Sequence, residues 1–236
     1  MGKVTQGQAV SETEISINPL SGQLVVRGAN PALLTTLAAH LGGGVDLDCG
    51  ECPPPVTHQG EIAASETPGL VHVAGFVHQS MVDGPGLRSV VFMQGCHLQC
   101  STDCRNSYAH DFLKGALMTV EAVLVELLRP DLPRDGVTIS GGEPLAQAEA
   151  CAEVLSRLKA AGSHVVVYTG YTCEHLAHSM DSSVKRVLGL ADMLVDGPYV
   201  AALSGKGIAY RGSSNQRVID LRATRTVGEL RLLHVD

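Results

Sequence analysis

VTISGGEPLAQAEACAEVLSRLKAAGSHVVVYTG, residues 137–170, decides the fold. It opens on a short β-branched run, VTIS, stopped by Gly141 and Gly142, and closes on a second run, HVVVY, before Thr169 and Gly170. Between them Ala148, Cys151, Ala152, Leu155 and Leu158 recur at helical spacing, which predicts a helix from about 146 to 161 with Cys151 in the core. Glu153 stands four residues before Arg157 on the opposite side, the spacing of a helical ion pair. Two strands joined by a helix of this length make a right-handed βαβ unit in a parallel sheet.

The alternation continues on both sides. LVHVAGFVHQS and LRSVVFMQG read as strands flanking the turn DGPG at 83–86. Thr119 is placed to cap a helix whose Val120, Val123, Leu124, Leu127 and Leu128 share a face, ended by Pro130. EHLAHSM reads as a short helix and ADMLVDGP as a further strand. The expected fold class is therefore α/β with a mainly parallel sheet. Ligand sites in such sheets lie at the carboxyl ends of the strands. GCHLQCSTDC follows SVVFM, GGEP follows VTIS, TGYT follows HVVVY and DGP follows DMLV.

Before residue 70 the texture differs. ISINPLSGQLVVRG reads as strand, turn and strand, and Asn30-Pro31 opens a helix that Gly42-Gly43-Gly44 ends, so residues 1–44 form a small ββα module. Residues 45–69 carry Pro, Gly and acidic residues without periodicity and read as a linker, leaving 70–236 as the main domain. The linker contains Cys49 and Cys52, either half a metal or redox site or an incidental exposed pair, since no second CxxC follows.

Of the 236 residues 44% are hydrophobic and 3% aromatic, with no Trp, so the core must be aliphatic. A net charge of −7 without any Lys/Arg cluster argues against nucleic acid as a partner. The first residues have no apolar signal core and nowhere do 18 apolar residues run together, which predicts a cytoplasmic protein with no membrane partner. In that compartment the seven cysteines are ligands, catalytic groups or buried small side chains, not a disulfide framework.

Cys96, Cys100 and Cys104 lie within ten residues. Three is one thiolate short of a structural zinc site, and it is the number that holds three irons of a 4Fe-4S cluster while leaving the fourth open. A three-Cys zinc site completed by His97 or His110 is the alternative. SGGEPL, one strand–helix–strand step later, brings a close-approaching backbone and a carboxylate to the same sheet edge, a pairing suited to a ligand's amino group.

VDGPGLRSVVFMQGCHLQC, followed by CRN, resembles the cluster loop of radical S-adenosylmethionine (radical SAM) enzymes, particularly those that activate glycyl-radical enzymes. SGGEPLAQ resembles their second motif. ADMLVDGPYV and RGSSNQRVIDL resemble the C-terminal motifs of the activating enzymes of anaerobic ribonucleotide reductase. The resemblance spans residues 70–221 with its motifs in order.

It implies a partial (β/α)6-type barrel. It implies that Cys96, Cys100 and Cys104 ligate a 4Fe-4S cluster whose open iron is chelated by SAM. Gly141, Gly142 and Glu143 would line the methionine part of SAM, with Thr169 and Asp196 as polar contacts, although Asp196-Gly197-Pro198 also reads as a plain turn. A reducing partner such as flavodoxin or ferredoxin would supply the electron. The resulting 5′-deoxyadenosyl radical would take hydrogen from a glycyl-radical enzyme subunit, or else from a small molecule or peptide. A non-catalytic zinc or iron–sulfur module is the third reading. Residues 211–217 read either as a solvated loop or as a rim that docks the partner. One departure is local: the family has three and then two residues between its cysteines, whereas here both gaps hold three. The added residue falls in STD, where Ser101 or Thr102 is expected to absorb it, and Asp103 takes the place next to the third cysteine that often helps seat adenine.

Overall fold

The computed structural model describes residues 69–205 and 207–235, together with three short strands nearer the N-terminus. The chain divides into two compact units, Met1–Gln59 and Gly60–Asp236. In the first, β1 (Glu14–Ile17) pairs antiparallel with β2 (Leu24–Arg27), and β3 (Val45–Asp46) pairs parallel with β2. The strand–turn–strand reading thus meets a real pairing, while Val45 and Asp46 are strand and not linker, because Val45 pairs with Leu24. The helix expected after Asn30, and Cys49 and Cys52, lie outside the described residues.

The second unit is built on a seven-stranded sheet. Its strands are β4 (Leu70–Ser80), β5 (Arg88–Met93), β6 (Ala116–Thr119), β7 (Gly136–Gly141), β8 (Val165–Tyr168), β9 (Met193–Asp196) and β10 (Arg217–Asp220), in the order β10-β9-β8-β7-β5-β4-β6. The centre, β5-β7-β8-β9, is parallel. The flanks are antiparallel, so the sheet is mixed rather than mainly parallel. Two of the three antiparallel pairings have a local cause. β4 reaches β5 through the tight turn at 81–87, and β10 returns to β9 through a stretch in which the described residues hold a single 3-10 turn, Ala201–Leu203, and no α-helix, a connection that suits an antiparallel neighbour.

Helices α1 (Val120–Leu127), α2 (Ala148–Ala160), α3 (Cys173–Ala177), α4 (Ser182–Leu190) and α5 (Leu221–Val227) complete the unit. Thr119 caps α1 as its sequence predicts, its hydroxyl accepting from Ala122 N at 3.1 Å. The faces of α1 and α2 meet the sheet through Leu127, Leu155, Leu158, Val137, Ile139 and Val167, all fully buried, and Cys151 is buried among them. Each such side chain contributes about 1.5–3 kcal/mol. Helix α4, opened by the Asp181 cap, has no counterpart in the sequence reading. The expected Glu153–Arg157 pair does not form: Arg157 reaches Glu121 on α1 and Glu153 receives Arg186 from α4, so the charges join neighbouring helices. A smaller cluster, Val166, Met193, Val195 and Val218, occupies the other face of the sheet.

The amino edge of the parallel strands is closed by Arg88, 1% exposed. Its guanidinium donates to Thr138 Oγ1 at 3.1 Å, to His164 O at 3.1 Å and to Val137 O, and burial lowers its pKa to about 10, still a cation at neutral pH. Gly136 has no side chain because a Cβ there would lie 2.2 Å from the guanidinium. No helix among the described residues is long and apolar enough to cross a membrane.

Candidate cluster and cofactor site

The carboxyl ends of β5, β7, β8 and β9 share one edge, and each carries a segment singled out from sequence. β5 runs into Gln94, Gly95 and the cysteine loop. That loop is tied at its root, with Gly95 N donating to Ala109 O at 2.8 Å and Cys96 N to His110 O at 3.0 Å. The glycine turn after β7 is stitched to the same root: Gly142 N donates to Met93 O and Glu143 N to Gly95 O, both at 2.8 Å, and Asn106 Nδ2 donates to Gly141 O at 2.9 Å. Both glycines are obligatory. Gly141 has φ +120°, and a Cβ on Gly142 would stand 2.3 Å from Gly95 O.

Glu143 is 1% exposed and wholly engaged. Its Oε1 accepts from Leu145 N at 2.9 Å and Thr169 Oγ1 at 3.0 Å, and its Oε2 accepts from Gly170 N at 2.8 Å. Burial pushes its pKa up to about 7 against the pull of those donors. Gly141, Gly142, Glu143 and Thr169 thus come together, with Glu143 clasping the β8 end to the β7 end. Leu98 of the cysteine loop closes over Gly170, where a Cβ would lie 2.6 Å from its Cδ1.

Asp196 is placed apart from this group in its bonding. It is fully buried at the end of β9, and its oxygens accept from Arg217 Nε at 2.9 Å, Arg217 Nη2 at 2.5 Å and Cys173 N at 2.7 Å. Arg217 also grips Glu174, and the two carboxylates, Asp196 first, raise its pKa. Asp196 is therefore neither a plain turn residue nor an open polar contact. It anchors β10 and α3 to β9.

The three cysteines lie on one loop at this edge, and among the described residues no three His, Cys, Asp or Glu side chains are already gathered as a metal-ion site. Cys96 is 6% exposed, Cys104 half-buried and Cys100 exposed. Burial pushes the Cys96 thiol up to about 11 and raises that of Cys100, and the charges of Cys96 with Cys100, and Cys100 with Cys104, act on one another. The residue added between the last two is taken up by a turn: Cys104 N donates to Ser101 O at 3.3 Å and Asp103 N to Ser101 Oγ at 3.1 Å. Ser101 supplies both acceptors of this turn, Thr102 and Asp103 form its tip, and Asp103 is exposed. Three thiols on one loop are a soft donor set that suits an iron–sulfur group and leaves an iron for another ligand. His97, a fourth ligand in the zinc alternative, stacks on Phe112 with ring centroids 4.7 Å apart.

Sequence reasoning missed the supports of this site. Gln147 is buried beneath the cysteine loop, its Nε2 donating to Gln94 O at 2.8 Å and to His72 O at 3.0 Å, while Gln94 Nε2 donates to Asp111 O at 2.7 Å. A glutamine inside the otherwise apolar helix entry of SGGEPLAQ was the available signal.

Residues 82–219 match the family described as 4Fe-4S single cluster domain. The anaerobic ribonucleoside-triphosphate reductase-activating protein of Vibrio cholerae is 32% identical over 143 residues, covering 58% of this chain and 89% of that protein. The protein of the same name from Escherichia coli is 31% identical over 149 residues, 60% of this chain and 94% of that one. The pyruvate formate-lyase-activating enzyme of Clostridium pasteurianum is 43% identical over 108 residues, and there the match spans 42% of this chain and 45% of the relative. Among solved structures, QueE from Escherichia coli has a TM-score of 0.38 and 17% identity over 44% of this chain and 53% of that one. The cysteine loop, the glycine turn stitched to it and a match that runs through both together give the conclusion that the chain belongs to the 4Fe-4S single cluster domain family and is a radical SAM activating enzyme, whose cofactors are a 4Fe-4S cluster and S-adenosylmethionine.

Proposed function

We propose that this enzyme generates a glycyl radical on a partner protein of the anaerobic ribonucleotide reductase type, with electrons from a reducing partner such as flavodoxin or ferredoxin. The observation that carries this reading is the hydrogen-bonded union of the cysteine loop with the Gly141–Glu143 turn at the carboxyl edge of the parallel strands, in a chain similar to proteins named as activators of that reductase. If bound at this edge, a cluster would supply the electron that cleaves SAM reductively to methionine and a 5′-deoxyadenosyl radical able to take a hydrogen atom from a partner's glycine.

The chain's own residues do the holding. Cys96, Cys100 and Cys104 would ligate the cluster as thiolates, giving up their protons on binding. Gly141 and Gly142 bring backbone within reach of the methionine end of SAM. Glu143 orients Thr169 and the Gly170 amide beside it, and Asp196 acts one step back, as the anchor of the β9 end. The domain plan that goes with this reading has a small N-terminal module that takes in the strand at Val45–Asp46, a linker that runs from there to residue 69 and a partial (β/α)6 barrel at 70–236.

Anaerobic reconstitution with iron and sulfide, reduction and addition of SAM should yield 5′-deoxyadenosine in the wild type and none in Cys104→Ala. A glycyl-radical signal in electron paramagnetic resonance should then appear in a candidate reductase. SAM cleavage without that signal in any glycyl-radical candidate would transfer the reading to a small-molecule or peptide substrate, and no cleavage in a cluster-loaded protein would end it.

A further inference from the structure

The turn Pro144–Gln147, which leads from the Gly141–Glu143 segment into α2, ends on a buried glutamine whose amide is wholly used. Gln147 Oε1 accepts from His72 N at 2.8 Å, and its Nε2 donates to His72 O at 3.0 Å and to Gln94 O at 2.8 Å. The amide can face only one way, since His72 N is a donor and the two carbonyls are acceptors. It takes the place of a peptide group where β4 and β5 part. Gln94 N still donates to His72 O at 2.9 Å, and beyond it the chain turns away into the cysteine loop.

Gln94, 2% exposed, carries the connection on. Its Nε2 donates to Asp111 O at 2.7 Å and to Tyr108 O at 3.4 Å, so the residue that leads into the cysteine loop also holds the exit. Gly115 lets the exit chain pass close, since a Cβ there would lie 3.0 Å from Gln94 Cγ. Residues 143–147 thus grip strands on both sides of β7. Glu143 holds the end of β8 through Thr169 and Gly170, while Gln147 holds β4 and β5 through His72 and Gln94. A shift of the cysteine loop is passed through two glutamine side chains to the glycine turn.

We propose that Gln147 and Gln94 are positioning residues that form a relay between the two halves of the site: they set the cysteine loop and the Gly141–Glu143 turn at one spacing, so that SAM is bound tightly only when the loop is in place. The inference rests on the reading of that loop as the cluster site and of that turn as the SAM site. A ligand that spans an open iron and the turn needs the two to keep one separation. Amide bonds buried away from water, each with its partner satisfied, hold such a separation better than exposed ones. Neither glutamine is a ligand, and each acts through the backbone it holds.

The test compares the full chain as wild type, Gln147→Met and Gln94→Met, which keep side-chain bulk and remove the amide bonds, with circular dichroism to check folding. Before any metal is added, hydrogen exchange of backbone amides is followed by mass spectrometry. Residues 95–111 should exchange about tenfold faster in both variants, with β8 unchanged. The chains are then reconstituted anaerobically with iron and sulfide and reduced, and SAM is titrated against the electron paramagnetic resonance spectrum, which reports loaded chains alone. The SAM concentration at half-change should rise about tenfold in both variants. Wild-type exchange at 95–111 in both variants overturns the relay. Faster exchange with a wild-type SAM midpoint overturns the coupling and leaves the glutamines as props of the loop. A loaded wild type whose spectrum does not respond to SAM ends the SAM reading instead, and the coupling with it. If Gln147→Met does not fold, Gln94→Met decides, because the bond from Gln147 to the backbone carbonyl of residue 94 survives that exchange.

Discussion

Glu143 shows how one residue can be legible in kind while its bonding partners are not. Its position in GGEP marks it as part of the site, and the structure brings it beside Thr169, but its carboxylate is consumed by Leu145 N, Thr169 Oγ1 and Gly170 N. In Glu143→Gln an amide NH2 replaces one acceptor, so a backbone N–H loses its partner and stability should fall by about 1–3 kcal/mol. The pH dependence gives a second readout. Burial raises this carboxyl from 4.5 to about 7, so between those values the folded chain holds a proton that the unfolded chain has released. Its contribution to stability is then greatest below the unfolded value and declines as pH rises to the folded one. Urea midpoints across that window should fall less steeply in the glutamine variant than in the wild type, and equal slopes would count against the assignment. Asp196 has the same lesson: its type and strand-end position were readable, whereas its partner Arg217 lies 21 residues further on and nothing local announces the bond.

Among elements, the cysteine loop depends less on its length than on its two fixed ends. Cys96 is set by the bond to His110 O, and the exit is set by Asn106 on Gly141 O. Between them Ser101 closes a turn that carries the added residue to the solvent side. Ser101→Ala removes the acceptor for Asp103 N and should cost about 0.5–1.5 kcal/mol at most. Its larger expected effect is on the metal: less iron retained per chain after anaerobic gel filtration, with an unchanged circular dichroism spectrum. Full iron retention would assign the seating of Cys104 to the loop ends alone. Helices and parallel strands were readable because their faces repeat with a fixed period. The antiparallel return of β10 was not, because RVID is short and follows a polar segment, and its place is decided by Val218 and Ile219 fitting the two faces of a sheet edge. Cross-helix ion pairs were equally invisible, since Glu153 and Arg157 fit an internal pair by spacing and found better partners on other helices.

In the whole molecule the four parallel strands carry different tasks at their two ends. At the amino ends, Arg88 satisfies the carbonyls of Val137 and His164 and the hydroxyl of Thr138 from a fully buried position. Arg88→Met leaves those acceptors dry and should lower stability by about 3 kcal/mol or more. Cluster loaded into the fraction that remains folded should keep the wild-type spectrum, because the substitution lies a full strand length from the cysteines, and an altered spectrum would show that the two ends are coupled. At the carboxyl ends sit the thiols and the glycine turn, held by backbone bonds and single side chains. Selection can therefore act on the two ends with little interference. Substitutions in the carboxyl-end loops are expected to leave the sheet standing, whereas the opposite rim is held to one arginine and one glycine, Arg88 and Gly136, whose exchange would disturb the sheet itself.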